Sequence, residues 1–187
     1  MVLDIAKACR SYRRFDASRK ISGETLTDLI ECARFTPSAA NMQRLRFLPI
    51  VDGERCDKVF STLKFAGYLK EWDGPSLDER PVAYVVICSE SEIDTHLAID
   101  LGICAEVIAL AAAEQGIGCC MFRSYSADKI GEVISNEAMH PHLVMAFGYP
   151  AECVTVEDMI DGNVKYYRDS EDRHIVPKRT LDELIMD

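Results

Sequence analysis

A single domain that mixes helices with the strands of a buried sheet is the fold class predicted by this sequence. Its 187 residues are enough for one domain with a full core. Short apolar runs typical of strands alternate with longer segments in which apolar residues recur at helical spacing. One run, Val82 to Cys88, is apolar throughout, as in strands that are covered on both faces. No internal repeat or linker interrupts this pattern, so we expect one domain over residues 1–187.

Charge and cysteine usage limit the possible environments and partners. A net charge of −10 and a pI of about 4.9 argue against nucleic acid and against anionic membrane surfaces. The eight cysteines lack CxxC or zinc spacing and no signal peptide is evident, so we expect free thiols in the reducing cytoplasm. The most apolar run, Leu97 to Ala113, holds Asp100 and Glu106 and is too short for a bilayer span, so we expect no membrane segment.

The first half of the chain reads as three helices and one strand. Helical spacing predicts helices over Met1–Cys9, over Gly23–Arg34 after the N-cap Ser22, and around Cys56–Leu63. Phe47–Val51 reads as a strand, and Pro49 within it indicates an edge strand or a bulge. The irregular segment Lys64–Pro81 carries Phe65, Tyr68 and Trp72, which form either a pocket wall or lid or a plug of the core.

The second half is organised by a long helix, Ile93–Gln115. It is apolar nearly all round, so we expect it at the centre of the molecule or at a subunit interface. Gly116 and Gly118 follow it and either allow close approach to a ligand or, more commonly, cap the helix and turn the chain. The remaining predicted elements are strands over Val82–Cys88, Cys119–Arg123 and Leu143–Phe147, and a short helix after Ser126.

The C-terminal extension, residues 151–187, differs from the rest of the chain. It holds ten Asp or Glu against five Lys or Arg, yet Lys165–Tyr167 and Ile175–Arg179 read as ordered. Because this segment lacks a core of its own, we expect it to wrap a partner subunit.

Basic residues cluster near the N-terminus of this acidic chain, around Arg10-Ser11-Tyr12-Arg13-Arg14. The first twenty residues hold six Lys or Arg against two Asp or Glu. Guanidinium groups and a Ser hydroxyl suit a bound phosphate, and a solvated basic turn is the alternative. Lys178 and Arg179 form a second basic pair, which adds cations if it meets the first and is otherwise an exposed surface pair.

The loop from Arg34 to Gln43 joins the second predicted helix to a strand. Pro37 ends the helix, and Ser38-Ala39-Ala40 has so little bulk that the backbone can approach a flat group. Asn41 and Gln43 offer amide donors and acceptors that suit the edge of a heterocycle. A polar connection without a ligand is the alternative.

Catalytic and metal-binding patterns are not evident in the sequence. His96, His140, His142 and His174 lack metal spacing, and no Walker loop or GxGxxG motif is present. No Ser-His-Asp arrangement can be defended. We therefore assign neither a metal site nor a catalytic acid, base or nucleophile.

Five short motifs, each weak alone, occur in an order that closely resembles the FMN-dependent nitroreductase family. The resemblance covers almost the whole chain. The motifs are Arg10-Ser11-Tyr12-Arg13-Arg14-Phe15, Pro37-Ser38-Ala39-Ala40-Asn41-Met42-Gln43, Gly116-Ile117-Gly118-Cys119, Gly148-Tyr149-Pro150 and Pro177-Lys178-Arg179.

This resemblance implies an α+β fold with a central, mostly antiparallel sheet flanked by helices. It also implies an intertwined homodimer with two FMN sites at the subunit interface. The FMN phosphate and ribityl chain would be held by Arg10, Ser11 and Arg13, with Lys178 or Arg179. The isoalloxazine would be lined by Pro37, Ser38, Asn41 and Gln43 from the other subunit, with backbone groups of Gly118 near the ring.

The implied activity is hydride transfer from NAD(P)H through FMN to a small electron-poor acceptor such as a nitroaromatic or a quinone, in a ping-pong reaction. Because the flavin carries the redox step, the lack of a catalytic triad is expected. Reductive dehalogenation, flavin breakdown and a non-catalytic, flavin-binding regulatory role are the alternatives. The chain departs from the family where Arg44-Leu45 replaces a frequent Pro and Trp, and its compact Lys64–Pro81 segment implies an open site.

Overall fold

The computed structural model describes residues 1–186 and contains six α-helices and two β-sheets. The helices are α1 (Val2–Ala8), α2 (Gly23–Arg34), α3 (Gly53–Phe60), α4 (Thr95–Glu114), α5 (Ala127–Ile134) and α6 (Leu181–Leu184). The strands are β1 (Phe15–Asp16), β2 (Arg46–Ile50), β3 (Ala83–Ser89), β4 (Gly118–Phe122), β5 (His140–Pro150), β6 (Val154–Asp158), β7 (Tyr167–Arg168) and β8 (His174–Lys178).

The larger sheet is antiparallel and has five strands. Its order is β1-β5-β3-β2, and β4 also pairs with β5. Every residue of β3 is buried, which confirms the strand predicted to be covered on both faces. β2 pairs only with β3, so Pro49 lies in an edge strand as its lack of an N–H donor requires.

Helices cover both faces of this sheet. Alternate residues of β3 point to opposite sides, so Val85 and Ile87 join the core under α2 and α4, whereas Tyr84 and Val86 join the core under α3 and α5. Ser22 caps α2 by accepting a hydrogen bond from the backbone N–H of Thr25, as predicted. The predicted α+β architecture is therefore confirmed.

One predicted strand is longer than expected, and one predicted helix extends beyond its most apolar run. The strand predicted over Leu143–Phe147 extends to His140–Pro150. At its N-terminal end His140 and Pro141 pair with β3, and at its C-terminal end Gly148 leaves room for the Phe15 side chain, which a Cβ at this position would approach within 2.7 Å. α4 has 20 residues and by length and composition could cross a bilayer, so the expectation that this run is too short was wrong. Its buried side chains pack in the core of the domain and include Asp100.

The C-terminal extension folds into a second sheet that the sequence did not predict. β8 lies between a parallel partner, β6, and an antiparallel partner, β7. The sheet contacts the N-terminal segment of the same chain, where Glu152 accepts hydrogen bonds from the backbone N–H groups of Arg13 and Arg14. Whether the extension also wraps a partner subunit stays a prediction.

Candidate functional site

A pocket of about 460 Å³ lies between the N-terminal segment, α4, β4 and the second sheet. Arg10, Ser11 and Arg13 line it together with Lys178 at the end of β8, so the two basic groups of the sequence meet in one place. The other residues that line this basic pocket are Cys9, Glu106, Ala109, Cys119, Met121, Val154, Tyr166, His174 and Val176.

Backbone contacts fix the N-terminal wall of the basic pocket. Ser11 forms a parallel bridge with Cys119 of β4, and the N–H of Tyr12 donates to the Cys119 carbonyl at 3.1 Å. On the opposite side, the buried carboxylate of Glu152 binds the N–H groups of Arg13 and Arg14 and pairs with Arg168 at 2.7 Å. These contacts hold residues 11–14 between the two sheets.

The cations of this pocket retain hydrogen-bond donors that no described residue uses. Arg10 donates from Nη2 to the Ala6 carbonyl at 2.7 Å, but its buried Nε has no partner among residues 1–186. Arg13 donates from Nη1 to the Ser11 carbonyl at 3.1 Å and lies 3.0 Å from His174 Nε2. Lys178 forms no ion pair within the described part of the chain. Three cations with donors to spare can bind one anionic group.

Arg179 does not line the basic pocket. Its guanidinium lies 3.8 Å from the carboxylate of Glu183, one turn further on. Of the two cations predicted to help bind a phosphate, the structure therefore brings Lys178 to the pocket and leaves Arg179 outside it.

Two thiols also line the basic pocket. Burial raises the pKa of Cys9 and of Cys119 above the ordinary value for a thiol, and nearby Glu106 adds to the shift of both. Both side chains are therefore protonated and weakly nucleophilic at neutral pH. The arrangement suits the binding of an anion better than nucleophilic chemistry.

The loop of residues 37–43 has a strained backbone. Ala40, Asn41 and Gln43 adopt left-handed conformations with φ of 49°, 54° and 49°. The loop is closed by the Ser38 hydroxyl, which accepts a hydrogen bond from the N–H of Gln43 at 3.0 Å. Strain held in this way is typical of functional loops.

Two residues of this loop line a second, smaller pocket. Ser38 and Gln43 line a cavity of about 340 Å³ with Asp100 and Cys104 of α4, whereas Pro37 and Asn41 do not line it. The Gln43 amide donates to the backbone and side-chain oxygens of Asn41 at 3.2 and 3.1 Å. Both amides are exposed at the surface of the single chain.

Within one chain, the two groups of predicted site residues are therefore not brought together. α4 contributes Glu106 to the basic pocket and Asp100 to the smaller pocket. These residues are about 9 Å apart along the helix axis and point in different directions.

Gly118 serves packing and does not line the basic pocket. A Cβ at this position would lie 2.8 Å from Tyr12 Cδ2 and 2.9 Å from Pro150 Cγ. Gly116, with a φ of +69°, follows α4 in the conformation that commonly ends a helix. The cap-and-turn interpretation therefore accounts for Gly116, and close packing against Tyr12 and Pro150 accounts for Gly118.

The Lys64–Pro81 segment has two separate parts. Phe65 plugs the core, with its ring centroid 4.9 Å from that of Phe122. Tyr68 is half exposed, and its ring lies 5.0 Å from Tyr166, which lines the basic pocket.

Three residues near the basic pocket were missed from the sequence, namely Glu152, Tyr166 and His174. They come from the C-terminal extension, and their neighbours in space are far away in the sequence. A signal did exist for Asp100, because a carboxylate in an otherwise apolar helical segment needs a buried partner.

Comparison with known proteins agrees with this architecture. The Nitroreductase family model matches residues 6–149. A Bacillus subtilis (strain 168) relative named "Putative NAD(P)H nitroreductase YdgI" is 24% identical over 185 residues, covering 80% of this chain and 88% of the relative.

Solved structures share the fold at lower identity. A nitroreductase family protein of Streptococcus pneumoniae TIGR4 matches with a TM-score of 0.69 and 16% identity, covering 100% of both chains. A structure from Exiguobacterium sibiricum 255-15 in complex with FMN has a TM-score of 0.65 and 21% identity, covering 81% of this chain and 89% of its own. NfnB of Mycobacterium smegmatis, an FMN-dependent nitroreductase in complex with NADPH, has a TM-score of 0.63 and 17% identity, covering 80% of this chain and 88% of its own. Since the family match spans most of the sequence and the fold agrees, this chain belongs to the nitroreductase family.

Proposed function

We propose that this protein is an FMN-dependent oxidoreductase that transfers hydride from NAD(P)H to a small electron-poor acceptor, such as a nitroaromatic or a quinone. The observation that carries this proposal is the convergence of Arg10, Ser11, Arg13 and Lys178 in one pocket. Similar structures with bound FMN or NADPH support it.

The donors of the basic pocket fit a terminal phosphate. Arg10 has a buried Nε without a partner among residues 1–186, and a phosphate oxygen is a suitable acceptor for it. Arg13 and Lys178 add charge-assisted hydrogen bonds, which are stronger than neutral ones. Bound FMN supplies the redox chemistry by accepting hydride and passing it on, so the chain has to bind and orient it.

A homodimer is part of this proposal, because the phosphate clamp and the 37–43 loop are separate within one chain. α4 has an apolar stripe that its own chain buries only in part, formed by Ile99, Ile103, Val107 and Leu110. Ile99 is 56% exposed. In addition, α1 has no buried residue. Apolar surface of this kind is typical of an interface, and a second copy would bring its Pro37–Gln43 loop to the flavin ring.

The binding step can be tested with purified protein reconstituted with FMN, FAD or riboflavin. We expect FMN to bind most tightly, because the pocket offers cations for a single terminal phosphate. Arg13→Ala should weaken FMN binding by roughly 10- to 100-fold, as expected for loss of a hydrogen bond to a charged group. Arg19→Ala is the matched control, since Arg19 stacks on Tyr149 outside the pocket.

Two results would reject the assignment. One is a preference for FAD, established by mass spectrometry of the released cofactor. The other is an FMN dissociation constant for Arg13→Ala within about twofold of the unmodified protein.

A further inference from the structure

We propose that His174 is a positioning residue of the phosphate site: its imidazole holds the Arg13 guanidinium so that the Nε–Nη2 edge is left for the anion. This inference rests on the proposed FMN site and adds to it a residue that no sequence motif indicated. His174 begins β8, is fully buried and lines the basic pocket.

The hydrogen bonds of Arg13 determine which of its donors remain for a ligand. Nη1 lies 3.0 Å from His174 Nε2 and 3.1 Å from the Ser11 carbonyl oxygen. Because Nη1 carries two hydrogens, these two contacts use both of them. Nε and Nη2 have no hydrogen-bond partner within residues 1–186. Those two groups form one edge of the guanidinium, and such an edge matches two oxygens of a phosphate.

The same contact determines the tautomer of His174. A guanidinium can only donate, so Nε2 must accept and the ring proton is on Nδ1. Burial and the positive charges of Arg13 and Arg168 together lower the pKa of His174 to about 4, against the opposing effect of Glu152. The ring is therefore neutral at pH 7 and available as an acceptor.

A neutral acceptor suits this position better than a carboxylate. A carboxylate beside Arg13 would offset the charge that a phosphate needs, whereas a neutral imidazole orients the guanidinium without adding a negative charge. Glu152, the nearby carboxylate, instead binds backbone N–H groups and Arg168.

The C-terminal extension fixes the positions of the His174 imidazole and the Arg13 guanidinium relative to each other. The N–H of His174 donates to the Cys153 carbonyl at 2.8 Å, and β8 is paired on both sides. Tyr166 packs 5.1 Å from the His174 ring and places its own ring 4.6 Å from the Arg13 guanidinium carbon. An arginine held on two sides loses less conformational entropy when it binds an anion.

The test compares His174→Leu, which removes the acceptor, with His174→Gln, which retains a carbonyl oxygen near the position of Nε2. His140→Leu is the control, because His140 is the first residue of β5 and pairs with Glu92. Dissociation constants for FMN and for riboflavin are measured by quenching of flavin fluorescence. We expect His174→Leu to raise the dissociation constant for FMN at least fivefold and His174→Gln to keep it within threefold of the unmodified protein. The dissociation constant for riboflavin should change less than twofold in both variants.

A double-mutant cycle identifies the route through Arg13. In an Arg13→Ala background, His174→Leu should change the FMN dissociation constant by less than twofold. The inference is overturned if His174→Leu alone leaves FMN binding within twofold. It is also overturned if His174→Leu still weakens FMN binding in the Arg13→Ala background. An equal loss of riboflavin binding would overturn it too, because that result indicates a structural role only.

A flavin-independent measurement separates this inference from the proposed function. If the unmodified protein binds no flavin, the proposed function fails, and inorganic phosphate becomes the probe. A thermal midpoint that phosphate raises in the unmodified protein and in His174→Gln, but not in His174→Leu, supports the positioning role. The positioning role is also overturned if phosphate does not change the thermal midpoint of the unmodified protein.

Discussion

The carboxylate of Asp100 accepts a hydrogen bond from the backbone N–H of Ala39 at 3.0 Å. Asp100 belongs to the buried face of α4 and is only 2% exposed. Its partner is the first residue of the turn in which Ala40, Asn41 and Gln43 adopt left-handed conformations. A strained loop is therefore fastened to the central helix by one buried carboxylate.

Removal of this carboxylate should destabilise the protein. We expect Asp100→Ala to lower the free energy of unfolding by about 1–3 kcal/mol, because the Ala39 N–H loses its acceptor. Asp100→Asn retains an acceptor and should lose less. Urea denaturation measures both, with Asp28→Ala on the exposed face of α2 as the control. An effect of Asp100→Ala no larger than that of the control would contradict this role for Asp100.

Two glycine substitutions should have opposite effects. Gly118→Ala places a Cβ 2.8 Å from Tyr12, so we expect a loss of about 1–3 kcal/mol from overpacking. Gly131→Ala adds a Cβ in α5 with no atom within 4 Å, so we expect a gain of roughly 0.5–1 kcal/mol from helix propensity. Thermal unfolding of the two variants decides the matter, and the reverse order would refute the packing role of Gly118.

His174 should make stability depend on pH. Its pKa is about 4 in the folded chain and about 6.5 when unfolded, so the unfolded state binds more protons between these values. This contribution to stability is therefore complete above about pH 6.5 and is lost as the pH falls towards 4. Denaturant unfolding at pH 7 and pH 5 should show a larger loss for the unmodified protein than for His174→Gln. Equal losses would mean that His174 is not the group responsible.

The proposed homodimer can be tested by mixing two damaged subunits. One carries Arg10→Ala and Arg13→Ala, and the other carries Ser38→Ala and Asn41→Ala. If the 37–43 loop acts on the partner's flavin, one site of the mixed dimer collects all four substitutions and the other is intact. Activity after subunit exchange should then exceed that of either parent.

If the loop acts within its own subunit, every site stays damaged and mixing restores no activity. Sedimentation gives an independent check. An active monomer would reject the dimer before any mixing is tried.

Local sequence signals predicted the elements of the main sheet and its helices well. The N-cap Ser22, the continuous apolar run of β3 and the edge position of Pro49 each follow from chemistry within a few residues. The two-residue β1 and the second sheet were missed because their pairing joins distant residues, as where Phe15 lies opposite Pro150. The residues of the candidate site were also predicted only in part. Charge clustering indicated Arg10, Arg13 and Lys178, which line one pocket, whereas the role proposed for His174 depends on a contact with Arg13 that joins residues far apart in the sequence.

The activity proposed for this chain is the transfer of hydride from a nicotinamide to an acceptor through bound FMN. Anaerobic addition of NADH or NADPH to the FMN-reconstituted protein tests it most directly, with flavin absorbance as the signal. We predict that the oxidised flavin band disappears on addition of at least one nicotinamide and returns when a nitroaromatic or a quinone is added. A flavin band that persists with both nicotinamides would contradict the claim and would leave the chain as a flavin-binding protein without this activity.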